Sequence, residues 1–344
     1  MPILPRSSTR MSRSPERNAA VLLALTAAVC AAALLSLRCG SQNYSLSEML
    51  SALWSGDTGN TVWRIVIHVR VPRTLAAMLA GAALALAGAL IQAVLNNAMA
   101  SPNIIGVNAG AGFAAMLAAV LVPGAAALTP MAAFLGALLT TLLIYLLAVR
   151  AGLSRTSLIL AGLTASSMLT AGTNTITLLS PETVVGASGF LLGGFSGVTL
   201  SAVKGAVWYL AAGAVLALLL AVDLNVLQLG EESAAGLGLH VGRVRFLAIL
   251  AAALLAGGAV SFCGLLGFVG LLVPHMARRL MGGDNRWLFP ATILLGGAFT
   301  LVCDVLARVL FAPFELPVGI ILSLLGGPFF LYLLLHRKRG RVYD

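Results

Sequence analysis

The sequence predicts an all-α polytopic membrane protein, and three observations indicate this fold class. Of the 344 residues, 60% are hydrophobic and 9% are charged, and the mean hydropathy is +1.01. A soluble domain needs about a quarter of its residues charged to solvate its surface, so lipid must cover much of this chain. Long apolar runs recur along the whole sequence. Basic residues lie in short clusters between these runs, which is typical of membrane topology rather than of nucleic-acid binding.

The apolar runs predict about ten transmembrane helices. A helix needs about 20 mostly apolar residues to cross the hydrocarbon core, and it satisfies its own backbone groups there. The predicted spans are residues 19–37, 74–95, 104–122, 127–149, 157–178, 203–222, 245–262, 266–281, 291–310 and 318–335. The chain therefore divides into a tail at 1–18, a ten-helix domain at 19–335 and a second tail at 336–344. The first apolar run has no A-x-A cleavage site after it, so we expect an uncleaved span rather than a signal peptide.

The distribution of basic residues predicts that both termini are cytoplasmic. With the N-terminus inside, fifteen of the 21 Lys and Arg residues fall in cytoplasmic segments, including the tail sequence HRKRGR. Positive charge favours that side of the membrane. Arg70, Arg73 and Arg308 fall on the opposite side, where they border spans. They are expected either to anchor the helices at the interface by snorkelling or to form an outer docking site for an acidic partner.

Polar and glycine-rich segments interrupt the apolar pattern. Residues 96–108, 193–198 and 313–317 are irregular, and such backbone at membrane depth persists only where it is buried in protein or lines a cavity. The long polar segment 223–245 predicts a short cytoplasmic helix that begins near Glu231 and ends near Gly238. It is either a contact surface for a soluble partner or an ordinary solvated loop.

Small residues recur within the predicted spans. Gly81 and Gly88 lie seven residues apart, which places them on one helix face, and Gly264, Gly267 and Gly270 recur every three residues. Because a glycine lets two helix backbones approach closely, these positions predict a tightly packed bundle.

The motifs of a self-sufficient enzyme are missing from the sequence. A phosphate loop, G-x-x-x-x-G-K-[ST], is impossible because neither Lys204 nor Lys338 is followed by Ser or Thr. Cysteine and histidine spacing predicts no metal site, and no cofactor is expected on this chain. Asp304 is the one acid well inside an apolar run. An i, i+4 ion pair with Arg308 is expected there, with the proton relay of a secondary carrier as the alternative.

Several long strings resemble a known family. VPRTLAAMLAGAALALAGALIQAVLNNAMASPNIIGVNAGAG at 71–112, GLLGFVGLLVPHMARRLMGGDNRWLFP at 264–290 and DVLARVLFAPFELPVGIILSLLGGPFFLYLL at 304–334 resemble permeases of type II ABC importers. This FecCD-type family takes up ferric siderophores, haem and cobalamin. LQLGEESAAGLGL at 227–239 is similar to the family's ATPase-contacting loop.

The resemblance implies a fold, a set of partners and a location. It implies the type II importer permease fold, with ten spans and both termini cytoplasmic, in the cytoplasmic membrane of a prokaryote. The partners would be a second permease subunit, forming a homodimer or a closely related pair, two cytoplasmic ATPase subunits that carry ATP and Mg, and one extracytoplasmic substrate-binding protein. Apart from membrane lipid, no further partner is expected, and nucleic acid is not among them.

The resemblance also assigns roles to residues. It implies that the binding protein docks on Arg70, Arg73 and Arg308. It implies that the ATPase contacts a coupling loop within 223–245, at Leu229, Gly230, Glu231, Glu232, Ala235, Leu237 and Gly238. It implies a cytoplasmic gate at Asn97, Met99, Arg155 and Thr156. Ala98 departs from the family pattern, which often has Pro there.

The leading hypothesis is therefore the permease subunit of an ATP-driven importer for a metal-chelate nutrient, with ferric siderophore as the expected cargo. Haem and cobalamin are alternative cargoes. Met, Leu and Gly on the fifth and tenth spans are expected to form the wall of the pathway. An ion-coupled secondary carrier is the second hypothesis, and it predicts broken helices and function without an ATPase. A membrane enzyme, the third, has no catalytic constellation in the sequence.

Overall fold

The computed structural model describes residues 15–40, 44–124, 127–152 and 154–335, and within these ranges it contains helices and no strand. The helices are α1 Pro15–Arg38, α2 Leu46–Ser55, α3 Thr61–Ile65, α4 Val71–Val94, α5 Val107–Leu121, α6 Leu128–Arg150, α7 Arg155–Leu179, α8 Pro181–Leu192, α9 Leu200–Leu219, α10 Ala221–Leu227, α11 Glu231–Gly236, α12 Val241–Cys263, α13 Val269–Met281, α14 Asn285–Val309 and α15 Val318–Leu335. A π-helical turn, Val66–Arg70, joins α3 to α4, and a 3-10 turn, Pro102–Ile105, precedes α5.

Each of the ten predicted spans coincides with a helix: α1, α4, α5, α6, α7, α9, α12, α13, α14 and α15. Among the described residues, six helices are long and apolar enough to cross a membrane, namely α1, the joined helix Thr61–Val94, α6, α9, α12 and α14. Two further apolar helices, α5 and most of α15, are shorter. The count of ten spans and the orientation of the termini stay predictions. Residues 15–18, assigned to the N-terminal tail, belong to α1. The rest of that tail and the tail at 336–344 lie outside the described residues.

Two short helices meet an irregular joint, where α8 ends and α13 begins. They have 12 and 13 residues, too few to cross the hydrocarbon core alone. The eighth span was expected from residue 266, but α13 begins after Phe268, whose φ of +64° cannot continue a helix. Leu265 N donates to Phe190 O at 2.9 Å, and Gly194 N donates to Cys263 O at 2.8 Å. The unwound backbone is thus hydrogen-bonded within the protein, as apolar surroundings require.

The centre of the bundle is formed by α4 and α12. In their most apolar stretches 78% of the residues are buried, against 17% in α1 and 28% in α9. α4 packs against α12, α13 and α14, and α12 also packs against α6 and α9. α1 and α9 therefore lie at the periphery, where lipid covers an exposed apolar helix face without cost.

Glycines bring α4 into backbone contact with its neighbours, as their spacing predicts. A Cβ on Gly81 would lie 2.3 Å from the carbonyl oxygen of Gly296 in α14, and one on Gly88 would lie 1.8 Å from that of Gly270 in α13. Both distances are far below van der Waals contact, so only glycine fits. Gly267 does not share this role, because no described atom lies within 4 Å of its Cβ position.

The segment before α4 contains helices that the sequence pattern does not reveal. α2 is a short amphipathic helix that begins with a capping box. Ser45 Oγ accepts from Glu48 N at 3.2 Å, and the Glu48 carboxylate accepts from Ser45 N at 2.8 Å. This backbone hydrogen bond lowers the pKa of Glu48. The pattern of apolar runs does not detect α2 because it is too short and too polar to span a membrane.

We expect Gly88→Ala to destabilise the bundle by at least about 1–3 kcal/mol, because the new methyl group overlaps the backbone of α13 and cannot move away. The measurement is the temperature at which the detergent-purified chain loses its monodisperse elution peak. Gly205→Ala in α9 is the matched control, since that position is open and exposed. Equal thermal stability of the two variants would show that α4 and α13 leave room for a methyl group at Gly88.

Candidate functional site

Two arginines at the start of α4, Arg70 and Arg73, meet the distant Arg308 near the end of α14, beside the C-terminal end of α1. Arg70, Arg73 and Arg308 line a cavity of about 260 Å³ together with Tyr44 and Glu315. The Arg70 guanidinium stacks on the Tyr44 ring at 4.9 Å. The π-helical turn before α4 sets the position of Arg70 relative to Arg73, and such turns are frequent at functional sites. The structure thus brings together the three residues that the resemblance assigns to docking.

Asp304 is the centre of this cluster and is completely buried. Its carboxylate accepts from Arg73 Nη2 at 3.0 Å and forms an ion pair with Arg308 Nη2 at 3.1 Å. The i, i+4 pair with Arg308 was predicted from spacing. The pair with Arg73, 231 residues away in sequence, was not. A buried carboxylate persists only when it is paired in this way, so these contacts favour a structural role for Asp304 over a proton relay.

Two of the arginines close the C-terminal end of α1. Arg70 and Arg308 donate to the backbone carbonyl oxygens of residues 36–39 at 2.6–3.2 Å. These carbonyl groups have no partner within the helix, and positive charge is favourable beside them. The sequence pattern presents the three arginines as an exposed docking surface. In the structure each is less than one-tenth exposed and is hydrogen-bonded within the chain.

Glu315 is the most accessible charged group in contact with this cluster. It lies in the irregular segment 313–317, and its carboxylate accepts from Arg73 Nη1 at 2.6 Å while 32% of its side chain stays exposed. Sequence reasoning noted this segment as irregular but gave Glu315 no role. The sequence nevertheless offered an indication of such a role. Glu315 is an acid between two prolines, and it is close in sequence to one of the predicted outer arginines, Arg308.

The predicted coupling loop forms a compact helical turn, α11, bounded by two glycines. Gly230 and Gly238 have φ values of +114° and +84°, which only glycine adopts easily. Leu239 N donates to Ala234 O at 3.0 Å and Gly238 N to Ala235 O at 2.9 Å, the two hydrogen bonds of a Schellman motif. The prediction that a short helix ends near Gly238 is thereby confirmed.

The residues assigned to ATPase contact differ in their surroundings. Leu229 and Leu237, at the two ends of α11, are 66% and 69% exposed, and Ala235 and Glu232 are exposed as well. Glu231 forms an ion pair with Arg245 of α12, although 45% of its side chain remains accessible. The segment thus presents two large apolar side chains and an acid to the surface, a combination that suits contact with another protein.

The predicted gate residues lie at the end of α4 and the start of α7. Asn97 Oδ1 accepts from Met99 N at 3.0 Å in a turn that follows α4. Thr156 lies exposed in the first turn of α7, which Ser154 caps; the side chain of Arg155 lies outside the described residues. α7 contacts the 3-10 turn Pro102–Ile105, which follows the turn that contains Asn97 and Met99.

Sequence reasoning missed Gln92, a buried polar residue in α4. Its amide Nε2 donates to Ala100 O at 3.1 Å, and its Oε1 accepts from Arg278 Nη1 of α13. Gln92 therefore connects the turn at 97–100 to α13. The sequence signal was a lone amide near the C-terminal end of an otherwise apolar stretch.

Asp284 and Asn225 form a polar junction between α10 and α14. Asp284 caps α14 by accepting from Arg286 N at 3.0 Å, and it also accepts from Asn225 Nδ2 at 2.7 Å. Partial burial raises the pKa of Asp284, but the hydrogen bonds and charge from Arg286 and the bond from Asn225 outweigh this, so its pKa lies below the ordinary value. The carboxylate is therefore ionised throughout the physiological range.

The face of α7 that the described chain leaves uncovered is partly polar. Thr164, Ser167 and Asn174 are exposed at helical spacing, on the same helix as the exposed Leu160 and Met168. A helix that faces lipid has no reason to expose such a polar stripe. α7 packs on α5 and α8, and α8 in turn contacts α15. Contacts through α8 therefore connect α7 and α15, the two helices on which the pathway wall is expected.

We expect Asp304→Asn to destabilise the chain by about 3–5 kcal/mol, because it leaves Arg73 and Arg308 without their buried counter-charge. Thermal stability in detergent measures the effect. Asp57→Asn is the control, since Asp57 is exposed in the loop after α2. If the two variants were equally stable, Asp304 would not hold the arginine cluster together.

Comparison with known proteins places this geometry in a family. Residues 27–336 match the FecCD transport family. The chain is 36% identical over 315 residues to the hemin transport system permease protein HmuU of Yersinia pestis, with 90% of this chain and 94% of the relative aligned. It is 37% identical over 309 residues to the ferric enterobactin transport system permease protein FepD of Escherichia coli, with 89% and 92% aligned.

A solved structure shows the same architecture. A metal-chelate type ABC transporter in an inward-facing conformation superposes with a TM-score of 0.81 at 28% identity, and the match covers 92% of this chain and 99% of that chain. The family match and the relatives both extend over most of the sequence. The chain therefore belongs to the FecCD transport family and is a multi-pass permease of the cytoplasmic membrane.

Proposed function

We propose that this chain is the permease subunit of an ATP-driven importer that moves a ferric siderophore across the cytoplasmic membrane. The observation that carries the proposal is the full-length similarity to permeases named for hemin and ferric enterobactin transport. Iron chelates are large and polar, so a pathway for them needs a wide, weakly polar wall rather than a narrow charged filter. Haem and cobalamin are the alternative cargoes that the same wall would accept.

The pathway in this proposal lies between two permease subunits, most simply two copies of this chain. The exposed stripe of Thr164, Ser167 and Asn174 on α7 supports it, because polar side chains at membrane depth belong on a protein or water interface. Exposed Leu163 and Met168 on the same helix supply the apolar part of the wall. Asn97, Met99, Arg155 and Thr156, near the ends of α4 and α7, form the cytoplasmic gate of this pathway.

The driving force in this proposal comes from two partner ATPases that hold ATP and Mg. Support comes from α11, whose exposed Leu229, Leu237 and Glu232 form a small protruding surface at the cytoplasmic side. No lysine of the chain can serve a phosphate loop, so hydrolysis must take place on another subunit. The ion pairs of Asp304 argue against the alternative of an ion-coupled carrier, because its carboxylate is already committed to two arginines.

The binding protein docks in this proposal at the cavity lined by Arg70, Arg73 and Arg308. Glu315 supports the idea, since it already shows how a carboxylate reaches Arg73 from the outside. An acidic side chain of the binding protein would take the place of Glu315, while Asp304 keeps the arginines in position from below. Such charge pairs set the speed and register of docking more than its affinity.

The uptake test uses vesicles that contain the chain and its neighbouring ATPase, with the ATPase side facing the lumen and the binding protein added outside, on the docking side. Labelled ferric siderophore, haem and cobalamin are offered in turn, with and without ATP. We expect ATP-dependent accumulation of ferric siderophore and none with an ATPase that binds but does not hydrolyse ATP. Accumulation of haem or cobalamin alone would reassign the cargo. Uptake that follows an ion gradient without any ATPase would contradict the importer mechanism.

The docking test uses Glu315→Gln, which removes the competing carboxylate and leaves both ion pairs of Asp304 intact. We expect the binding protein to bind about two- to fivefold more tightly, the range of a partly exposed ion pair, and the gain to shrink at high salt. Glu182→Gln, an exposed acid at the start of α8, is the matched control. Unchanged affinity in Glu315→Gln would contradict docking at this cavity.

A further inference from the structure

Helices α10 and α11 are each fastened to the membrane domain by one polar contact, to α14 and to α12 respectively. We infer that the ion pair between Glu231 and Arg245 and the amide of Asn225 are the ties through which movement of α11 reaches α12 and α14. The inference rests on the proposed function, in which an ATPase acts on α11. It identifies Arg245 and Asn225 as positioning residues for transport, and it makes Glu231 an internal tie rather than a contact for the ATPase.

The first tie joins α11 to α12. Arg245 lies in the first turns of α12 and is 5% exposed, so its guanidinium is not available to an outside partner. Its Nη2 is ion-paired with Glu231, the first residue of α11. Separating a buried guanidinium from its carboxylate is strongly unfavourable. When α11 moves, the pair is therefore expected to stay closed and to move the cytoplasmic end of α12 with it.

The second tie joins α10, which directly precedes α11, to the start of α14. Asn225 uses both ends of its amide there. Its Nδ2 donates to Asp284 Oδ1 at 2.7 Å, and its Oδ1 accepts from Asn285 N at 2.9 Å. One of these bonds involves an ionised carboxylate, which makes it stronger than a neutral hydrogen bond. These two hydrogen bonds hold α10 against the N-terminal end of α14.

α11 itself is suited to move as one piece. Its two bounding glycines, Gly230 and Gly238, adopt backbone conformations that end the helix sharply on both sides. Ala234, in the middle of α11, is completely buried, so the helix packs against the membrane domain and does not project freely from it. The helix is therefore held at its first residue, Glu231, at the buried Ala234 and through the preceding helix α10. It has little freedom to tilt independently of the membrane domain.

Both ties converge on α4. α12 and α14 each pack along α4, and the contact with α14 includes the backbone approach of Gly81 to Gly296. Such tight contacts transmit displacement because there is no space to absorb it. α4 ends at the turn that contains Asn97 and Met99, which is assigned to the gate. The ties thus complete a continuous mechanical route from α11 to the gate.

Glu232 differs from Glu231 in a way that the inference explains. The two acids are adjacent, and both were assigned to ATPase contact by resemblance. The chain uses Glu231 internally, through Arg245, whereas Glu232 is exposed on the surface of α11 together with Leu229 and Leu237. The two adjacent glutamates therefore have different roles in this inference. Glu232 contributes to binding the ATPase, and Glu231 contributes to transmitting its movement.

The experiment measures three quantities in the reconstituted vesicles: ATPase copurified with the chain, ATP hydrolysed, and ferric siderophore transported per ATP. We expect Arg245→Gln and Asn225→Ala to retain the ATPase within about twofold, as for a substitution outside the contact. Transport per ATP should fall at least about fivefold, the lower end of typical coupling between sites. Glu232→Gln should show the opposite pattern, with weaker ATPase retention and unchanged transport per ATP.

Rescue distinguishes transmission from a general loss of structure. Exchanging the charges, Glu231→Arg with Arg245→Glu, should restore transport per ATP to within about twofold of the starting chain. Arg243→Gln is the matched control, because Arg243 is exposed in the same first turn of α12. If Arg245→Gln does not accumulate in the membrane, Asn225→Ala alone decides, since it removes two hydrogen bonds and no charge.

Two results would overturn the inference. One is unchanged transport per ATP in both Arg245→Gln and Asn225→Ala. The other is loss of the ATPase from Glu231→Gln with normal coupling of what remains, which would make Glu231 a direct contact. Failure of the unsubstituted chain to bind any ATPase or to transport with ATP would instead overturn the proposed function, and it would be seen before any variant is compared.

Discussion

Inside the hydrocarbon layer no water is available to a polar group, so every charge and every unpaired peptide group must be satisfied by the protein. The rest of this structure depends on that constraint. It explains why the unwound joint between α8 and α13 exchanges backbone hydrogen bonds through Phe190 and Cys263. It also explains why Asp304, although completely buried, stays compatible with the fold: two guanidinium groups surround it.

The same constraint shapes the packing of the apolar helices. Between helices in lipid there is no hydrophobic driving force, so close fit must supply the attraction. α4 achieves it with glycines that place its backbone directly against α13 and α14 at Gly270 and Gly296. A bundle held in this way is stiff, and stiffness is what a transporter needs if movement at a cytoplasmic helix is to alter a pathway at a distance.

The arginine cluster and the ties at α10 and α11 both combine a structural duty with a proposed role in transport. Arg70 and Arg308 close the end of α1, and Arg73 holds Asp304 while reaching toward the surface through Glu315. Substituting one of these arginines therefore tests fold and docking at once, whereas Glu315 isolates docking. Arg245 is a comparable case at the start of α12, where a buried cation is ion-paired with the first residue of α11.

The sequence by itself determined the fold class, the places of the ten helical segments, the irregular stretches and the family. These features depend on composition, local hydropathy and strings of adjacent residues, all of which are linear properties. It also indicated the glycine contacts at Gly81 and Gly88 and the pair of Asp304 with Arg308, because helical spacing places residues three, four or seven apart on one face.

Only the tertiary structure decided which distant groups meet. The pairing of Arg73 with Asp304, of Glu231 with Arg245 and of Asn225 with the start of α14 each joins different helices, and no local pattern encodes such a meeting. The burial of the three arginines could likewise not be predicted from the sequence, since the same local sequence is compatible with an exposed or an enclosed guanidinium. The physical reason is that hydrogen bonds and ion pairs depend on separation in space, which is set by the packing of the whole bundle.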